Sequence, residues 1–317
     1  MRQQQGGSGF CVISGGEMRD PTLLIAGSER GPIHRCPARG RDQGSDSMPV
    51  VVGAGPQPVN DQASDAARAP QFESRKIEVA DVVDCIAKGV QDFGRAPRYG
   101  MFFGAFYAIG GLLIVWAAFA MDYPYLAYPF VMGFALFAPF GAAGAYEISR
   151  RLESGEPLSW SAVLGSVWSR TGMELGWLAL VSLFTLIIWL DLAVFVFLIF
   201  YGPEIPSLPE LFANVFTTSY GLGFLLVGNG LGAIIALFVF SITAVAPPLV
   251  VDRKADFVTA MFTSVRTVIA NPRPMLAWAI VIGAGLAVAF ATAFVALRVI
   301  FPILGHATWH LYRRVIV

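Results

Sequence analysis

Long apolar stretches constrain this chain more than any other feature. Phe102–Met121 contains no charged residue, Leu126–Ile148 is charge-free up to Glu147, Leu175–Phe200 carries only Asp191, and Leu222–Val251 carries none. A helix needs about 20 mostly apolar residues to cross about 30 Å of hydrocarbon, where its backbone must satisfy its own hydrogen bonds. All four stretches meet that requirement. A fifth, Met275–Tyr312, has Arg298 in its middle; its length of ~57 Å as a helix is too great for one crossing. It reads either as two short crossings joined by a tight turn, or as one crossing followed by a helix kinked at Pro302.

The rest of the composition agrees. Only 14% of the 317 residues are charged and 56% are hydrophobic, against about a quarter charged in soluble domains. This excludes a soluble enzyme with an ordinary surface, a nucleic-acid binder with a basic face and a disordered solvating chain. The expected partner is the lipid bilayer, together with a homo-oligomer or membrane partner, and not nucleic acid.

Basic residues set the orientation. Arg75, Lys76, Lys88, Arg95 and Arg98 flank the first stretch; Arg150, Arg151 and Arg170 lie between the second and third; Arg253, Lys254, Arg266 and Arg273 lie between the fourth and fifth. Asp122–Tyr125 and Tyr201–Gly221 have none. The N-terminus and the three basic segments are therefore expected on the cytoplasmic side of a bacterial inner membrane.

The basic segments also carry helical periodicity. Val79, Val82, Val83, Ile86, Val90 and Phe93 form one apolar pattern, with Asp81, Asp84 and Asp92 mostly on other faces. Trp160, Val163, Leu164, Val167 and Trp168 form a second after Pro157. Val258, Met261, Phe262, Val265 and Ile269 form a third, with Asp252 as its expected cap. Each amphipathic helix precedes an outgoing span. The returning stretches share an ending: Pro139 precedes Arg150-Arg151, Pro247-Pro248 precedes Arg253-Lys254, and Pro302 precedes Arg313-Arg314. The expected fold is an all-α polytopic bundle of about six membrane segments in three hairpin repeats, with the C-terminus cytoplasmic.

Three segments carry a family resemblance: Tyr146-Glu147-Ile148-Ser149-Arg150-Arg151; Ala246-Pro247-Pro248-Leu249 with Asp252-Arg253; and Gly305-His306-Ala307-Thr308-Trp309-His310-Leu311-Tyr312-Arg313. Together they resemble the DUF2189 family over roughly Ile77 to Arg313. The resemblance implies a bacterial multi-pass integral membrane protein and supplies no chemistry.

Few residues offer chemistry. His306 and His310 share a helix face at i and i+4, a spacing that suits a metal or haem; beside Trp309 and Tyr312 they equally suit an interfacial anchor. Asp191 reads as a functional acid inside a span, or as an outer-interface residue if the span ends near Trp189. Glu147 reads as an ion-pair partner of Arg150 and Arg151, and Arg298 as snorkelling outward or pairing with Asp191. Asn229 stands beside Gly228, Gly232 and Ala236, a small-residue ridge expected to pack helices closely. Gly100 and Gly104 repeat that spacing. No nucleophile–base pair, phosphate loop or cysteine cluster is visible; no cofactor and no catalytic residue are expected.

Residues 1–74 read as tail and linker, 75–313 as the membrane domain and 314–317 as a short tail. Residues 1–47 read as disordered or as preceding a native start at Met48. Cys11, Cys36 and Cys85 have no paired spacing. Three functions fit: transport or binding of a small apolar or amphipathic molecule near Asp191 and Asn229; a non-catalytic membrane-organising or partner-binding role; or a metal or redox role through His306 and His310.

Overall fold

The structure is a computed structural model that describes residues 72–167, 170–203 and 206–317. Met48, Cys11, Cys36, Trp168 and nearly all of the expected tail and linker lie outside the described residues. These residues are all-helical, with one isolated antiparallel bridge between Ser74 and Ile316.

Helix α1 (Val79–Arg95) opens with a capping box in which the Glu78 N–H donates to Asp81 Oδ2 at 2.7 Å. It buries Val82, Cys85, Gly89 and Asp92 along one stripe and exposes Val79, Val83 and Val90. Ala96 leaves helical geometry, and Pro97 begins α2 (Pro97–Ala120) at the position where its missing N–H costs nothing.

The chain then turns through Asp122, at φ +61°, and a short 3-10 turn. It returns in three pieces: α3 (Ala127–Ala135), α4 (Ala138–Gly141) and α5 (Ala143–Ser154). Pro139 in α4 has no N–H to donate, and the backbone tightens on either side of it. The stretch Leu126–Ile148 is thus broken, and none of its pieces could cross a bilayer alone.

Helix α6 (Trp160–Val167) leads to α7 (Arg170–Tyr201), which is 32 residues long. After the short α8 (Leu208–Thr217), α9 (Ser219–Thr243) and α10 (Ala246–Arg253) return with a break at Ala244–Val245. Helix α11 (Phe257–Ala270) is capped by Asp256, whose Oδ1 accepts from the Thr259 N–H at 2.9 Å. The expected cap, Asp252, lies earlier, inside α10, and bonds elsewhere. Helix α12 (Pro272–Ala291) and α13 (Leu297–Val315) complete the chain; Pro302 sits within α13 without breaking it.

Among the described residues, four helical runs are long and apolar enough to cross a membrane: Pro97–Ala120, Thr171–Tyr201, Ser219–Arg253 and Pro272–Ala291. Their outward faces expose Phe106, Trp116, Leu226 and Ile280. An apolar surface of this extent needs lipid or protein against it.

Helix α13 packs along both α1 and α2, at contacts that only glycine allows. A Cβ on Gly89 would stand 2.7 Å from the Ile303 carbonyl oxygen, and one on Gly104 would stand 2.6 Å from that of Arg298. Gly100 is similarly close to Pro302. Residues just before α1 join those at the end of α13 here too: the Arg75 N–H donates to Val315 at 2.8 Å, and that of Val317 to Glu73 at 3.2 Å. Asn271 ties the same corner, accepting from the Ile77 N–H at 3.0 Å and donating to the Arg75 carbonyl at 3.1 Å.

Candidate functional site

Two features stand out. One is a polar cluster at the end of the bundle where α1, α5, α10 and α13 meet; the other is an apolar cavity above it.

The polar cluster gathers the three segments quoted for the family resemblance. From α5, Glu147 holds Arg150 at 2.8 Å and Arg151 at 2.6 Å, and Glu153 accepts from Trp309 Nε1 at 3.0 Å. From α10, Asp252 accepts from the Tyr312 hydroxyl at 2.7 Å. Arg313 bridges Glu153 and Asp252 at 3.2 and 3.5 Å, and Arg314 reaches Asp81 and Asp84 on α1.

At its centre, four side chains share a chain of hydrogen bonds. Ser149 Oγ donates to Asp92 Oδ2 at 2.8 Å, and the same oxygen lies 2.8 Å from His310 Nε2. His306 Nδ1 lies 2.8 Å from Ser149 Oγ. Because Ser149 gives its only proton to Asp92, His306 must donate from Nδ1. Its Nε2 is then an unprotonated nitrogen, buried without a hydrogen-bond partner. Burial would raise the Asp92 carboxyl, but the bonds from His310 and Ser149 outweigh it and hold the group below its ordinary value. His306 is pushed down to about 4, chiefly by burial, with His310 adding to the shift and the Asp92 charge opposing it.

The two histidines therefore meet, but through Asp92 and Ser149. Among the described residues no group of three or more His, Cys, Asp and Glu is arranged to hold a metal ion. Ser149 belongs to the quoted Tyr146–Arg151 segment, whereas Asp92 belongs to none of the three. The signal in the sequence was the stripe Cys85, Gly89 and Asp92, which places an acid on the packed face of α1.

The cavity has a volume of about 660 Å³ and lies between α3–α5, α9, α12 and α13. None of its lining residues is Asp, Glu, Lys, Arg or His. Its polar groups stand at two ends. At one, the Tyr128 hydroxyl donates to Asn229 Oδ1 at 2.7 Å; at the other are Tyr146, Thr243 and Thr308. Between them the walls are small, with Ala135, Ala138, Gly232, Ala236, Ala279 and Gly283.

Asn229, Gly232 and Ala236 thus line one cavity wall. Gly228 meets open space, and Gly232 faces the Trp189 ring. The ridge borders a void there, while Gly100 and Gly104 do pack. Asp191 is exposed on α7 and does not line the cavity. It lies ~26 Å along the helix from Glu174, whose carboxylate accepts from the Phe257 N–H at 3.0 Å. Arg298 is exposed and its Nε reaches the Val295 carbonyl oxygen at 3.4 Å, not Asp191.

Helices of spanning length, apolar outer faces and motif segments gathered at one end meet the expectation of an integral membrane protein. Residues 127–252 match the DUF2189 family, described as a predicted integral membrane protein. The DUF2189 match runs from the start of α3 to Asp252 in α10, so it contains the first quoted segment and the second up to Asp252; the His306–His310 segment lies beyond it. No curated protein and no solved structure matches the chain.

Proposed function

We propose that this protein binds a small, uncharged apolar or amphipathic molecule within the membrane, in the cavity between α9, α12 and α13. The observation that carries this reading is a void of ligand size with no Asp, Glu, Lys, Arg or His on its walls. An ion, sugar phosphate or amino acid would lose its hydration there without a compensating partner. A molecule that is mostly hydrocarbon loses nothing.

The same reading takes the bundle as three units, each an amphipathic helix (α1, α6, α11), an outgoing helix (α2, α7, α12) and a return (α3–α5, α9–α10, α13). The order of elements and the basic residues at one end support it, with both chain ends of the membrane domain in the cytoplasm and the polar cluster at that face. A C-terminal reporter found active outside the inner membrane would contradict this topology.

Purification in mild detergent followed by native mass spectrometry tests the binding itself. The wild-type protein is expected to carry a co-purified neutral molecule that Gly283→Leu loses. Gly283 lines the cavity and its missing Cβ faces open space, so the added side chain displaces no neighbour. No bound molecule, or equal loading in the filled variant, would refute the reading.

A further inference from the structure

We propose that the ligand enters from the bilayer, through the gap between α9 and α12, and that it is a single long hydrocarbon chain ending in an uncharged polar group. This rests on the reading of the cavity as a binding site.

The walls make the gap. Helices α9 and α12 both line the cavity, yet they do not pack along one another. Their facing residues include Ala233 and Ala236 on one side and Ala279 and Gly283 on the other, side chains too small to meet across it. Leu237 on α9 and Leu276 and Ile280 on α12 line the cavity while remaining 50%, 56% and 63% exposed. They form the rim of an opening, not a closed wall.

Depth decides what that opening faces. Ile280 lies ~12 Å along α12 from Pro272, and Leu237 stands midway along the apolar run Ser219–Arg253. Both are well inside a hydrocarbon layer about 30 Å thick. A window at this level meets lipid tails, so a solute arriving from water would first have to cross into the membrane.

Shape and chemistry narrow the ligand. From Asn229 to Thr243 the cavity follows α9 for ~21 Å, with apolar walls between its polar ends. The hydroxyls of Thr243 and Thr308 already donate to Val239 and Leu304 of their own helices, at 2.7 Å each, and can only accept. Asn229 donates one amide N–H to Leu225 at 2.9 Å, which leaves its second N–H for a carbonyl or hydroxyl oxygen. Nothing on the walls would balance a charge.

The test places the full-length protein in phosphatidylcholine vesicles with one of three photoactivatable diazirine probes: a long-chain alcohol, an isoprenoid alcohol or a disaccharide. Adducts are mapped by peptide mass spectrometry. At least one chain probe is expected to mark Ala233–Ala236 and Ala279–Gly283, the more reactive one identifying the acyl or isoprenoid source, and the sugar is expected to leave them unmarked. Narrowing the window with Leu237→Trp and Ile280→Trp is expected to slow that labelling several-fold, and Gly283→Leu to abolish it. Unchanged labelling in the window variant, with Gly283→Leu still blocking, would overturn lateral entry and leave the cavity as a binding site. Sugar labelling of the walls would overturn the ligand class. If no probe marks the walls while native mass spectrometry still finds a molecule lost in Gly283→Leu, the inference fails and the binding reading stands.

Discussion

His310 Nε2 lies 2.8 Å from Asp92 Oδ2, joining the last helix to the first across 218 positions of chain. Ser149 donates to the same oxygen, so one carboxylate oxygen holds α1, α5 and α13 together. Asp92→Asn keeps the shape but replaces an ionic acceptor by a neutral one. Leaving buried donors poorly matched costs about 1–3 kcal/mol. The expected result is a lower midpoint of thermal unfolding in detergent, and an unchanged midpoint would mean the junction is held by packing alone.

Acid should weaken the same junction in two stages. Folded His306 is held near 4, below the ordinary value of 6.5. Between those values the unfolded chain binds a proton that the folded chain refuses, so stability falls as pH drops from 6.5 towards 4. Asp92 is also lowered; its contribution is present above its unfolded value and is lost as pH falls through the folded one. His306→Gln is expected to flatten the dependence between pH 6.5 and 4 in unfolding midpoints measured across that range.

The glycine contacts give a paired comparison. Gly104→Ala pushes a methyl group against the Arg298 backbone, and overpacking of this kind costs about 1–3 kcal/mol. Gly94 is a helical glycine whose Cβ would meet nothing within 4 Å; Gly94→Ala should stabilise by up to about 1 kcal/mol through helix propensity. Unfolding midpoints that move in opposite directions are expected for the two variants.

Asp191→Asn separates the cavity from the acid that the sequence placed beside it. Its side chain is exposed and off the cavity wall, so stability should change by less than about 0.5 kcal/mol. Loading of the co-purified molecule should equal wild type. A loss of loading would bring Asp191 into the binding path.

The sequence reading succeeded where local chemistry dominates. Unbroken apolar runs, a proline at the head of α2 and α12, and alternating polar and apolar faces in α1 and α11 all depend on residues close in the chain. It failed where distant helices decide. Leu126–Ile148 has the composition of one span, yet the backbone breaks around Pro139 and again at Ala142. Asp92 looked like one of several surface acids: it shares a stripe with Cys85 and Gly89, but only the distant His310 shows that this stripe is covered. The cavity was invisible for the same reason: Gly232, Ala236 and Gly283 read equally as a packing ridge or a void, and only the placement of α12 distinguishes them.

The central claim is that a neutral chain-like molecule occupies the void beside α9, and a structure of the protein in lipid nanodiscs tests it most directly. Elongated density between Asn229 and Thr243, continuous with the bilayer through the gap at Leu237 and Ile280, is the predicted result. Helices α9 and α12 closed against one another with no space between them would contradict it.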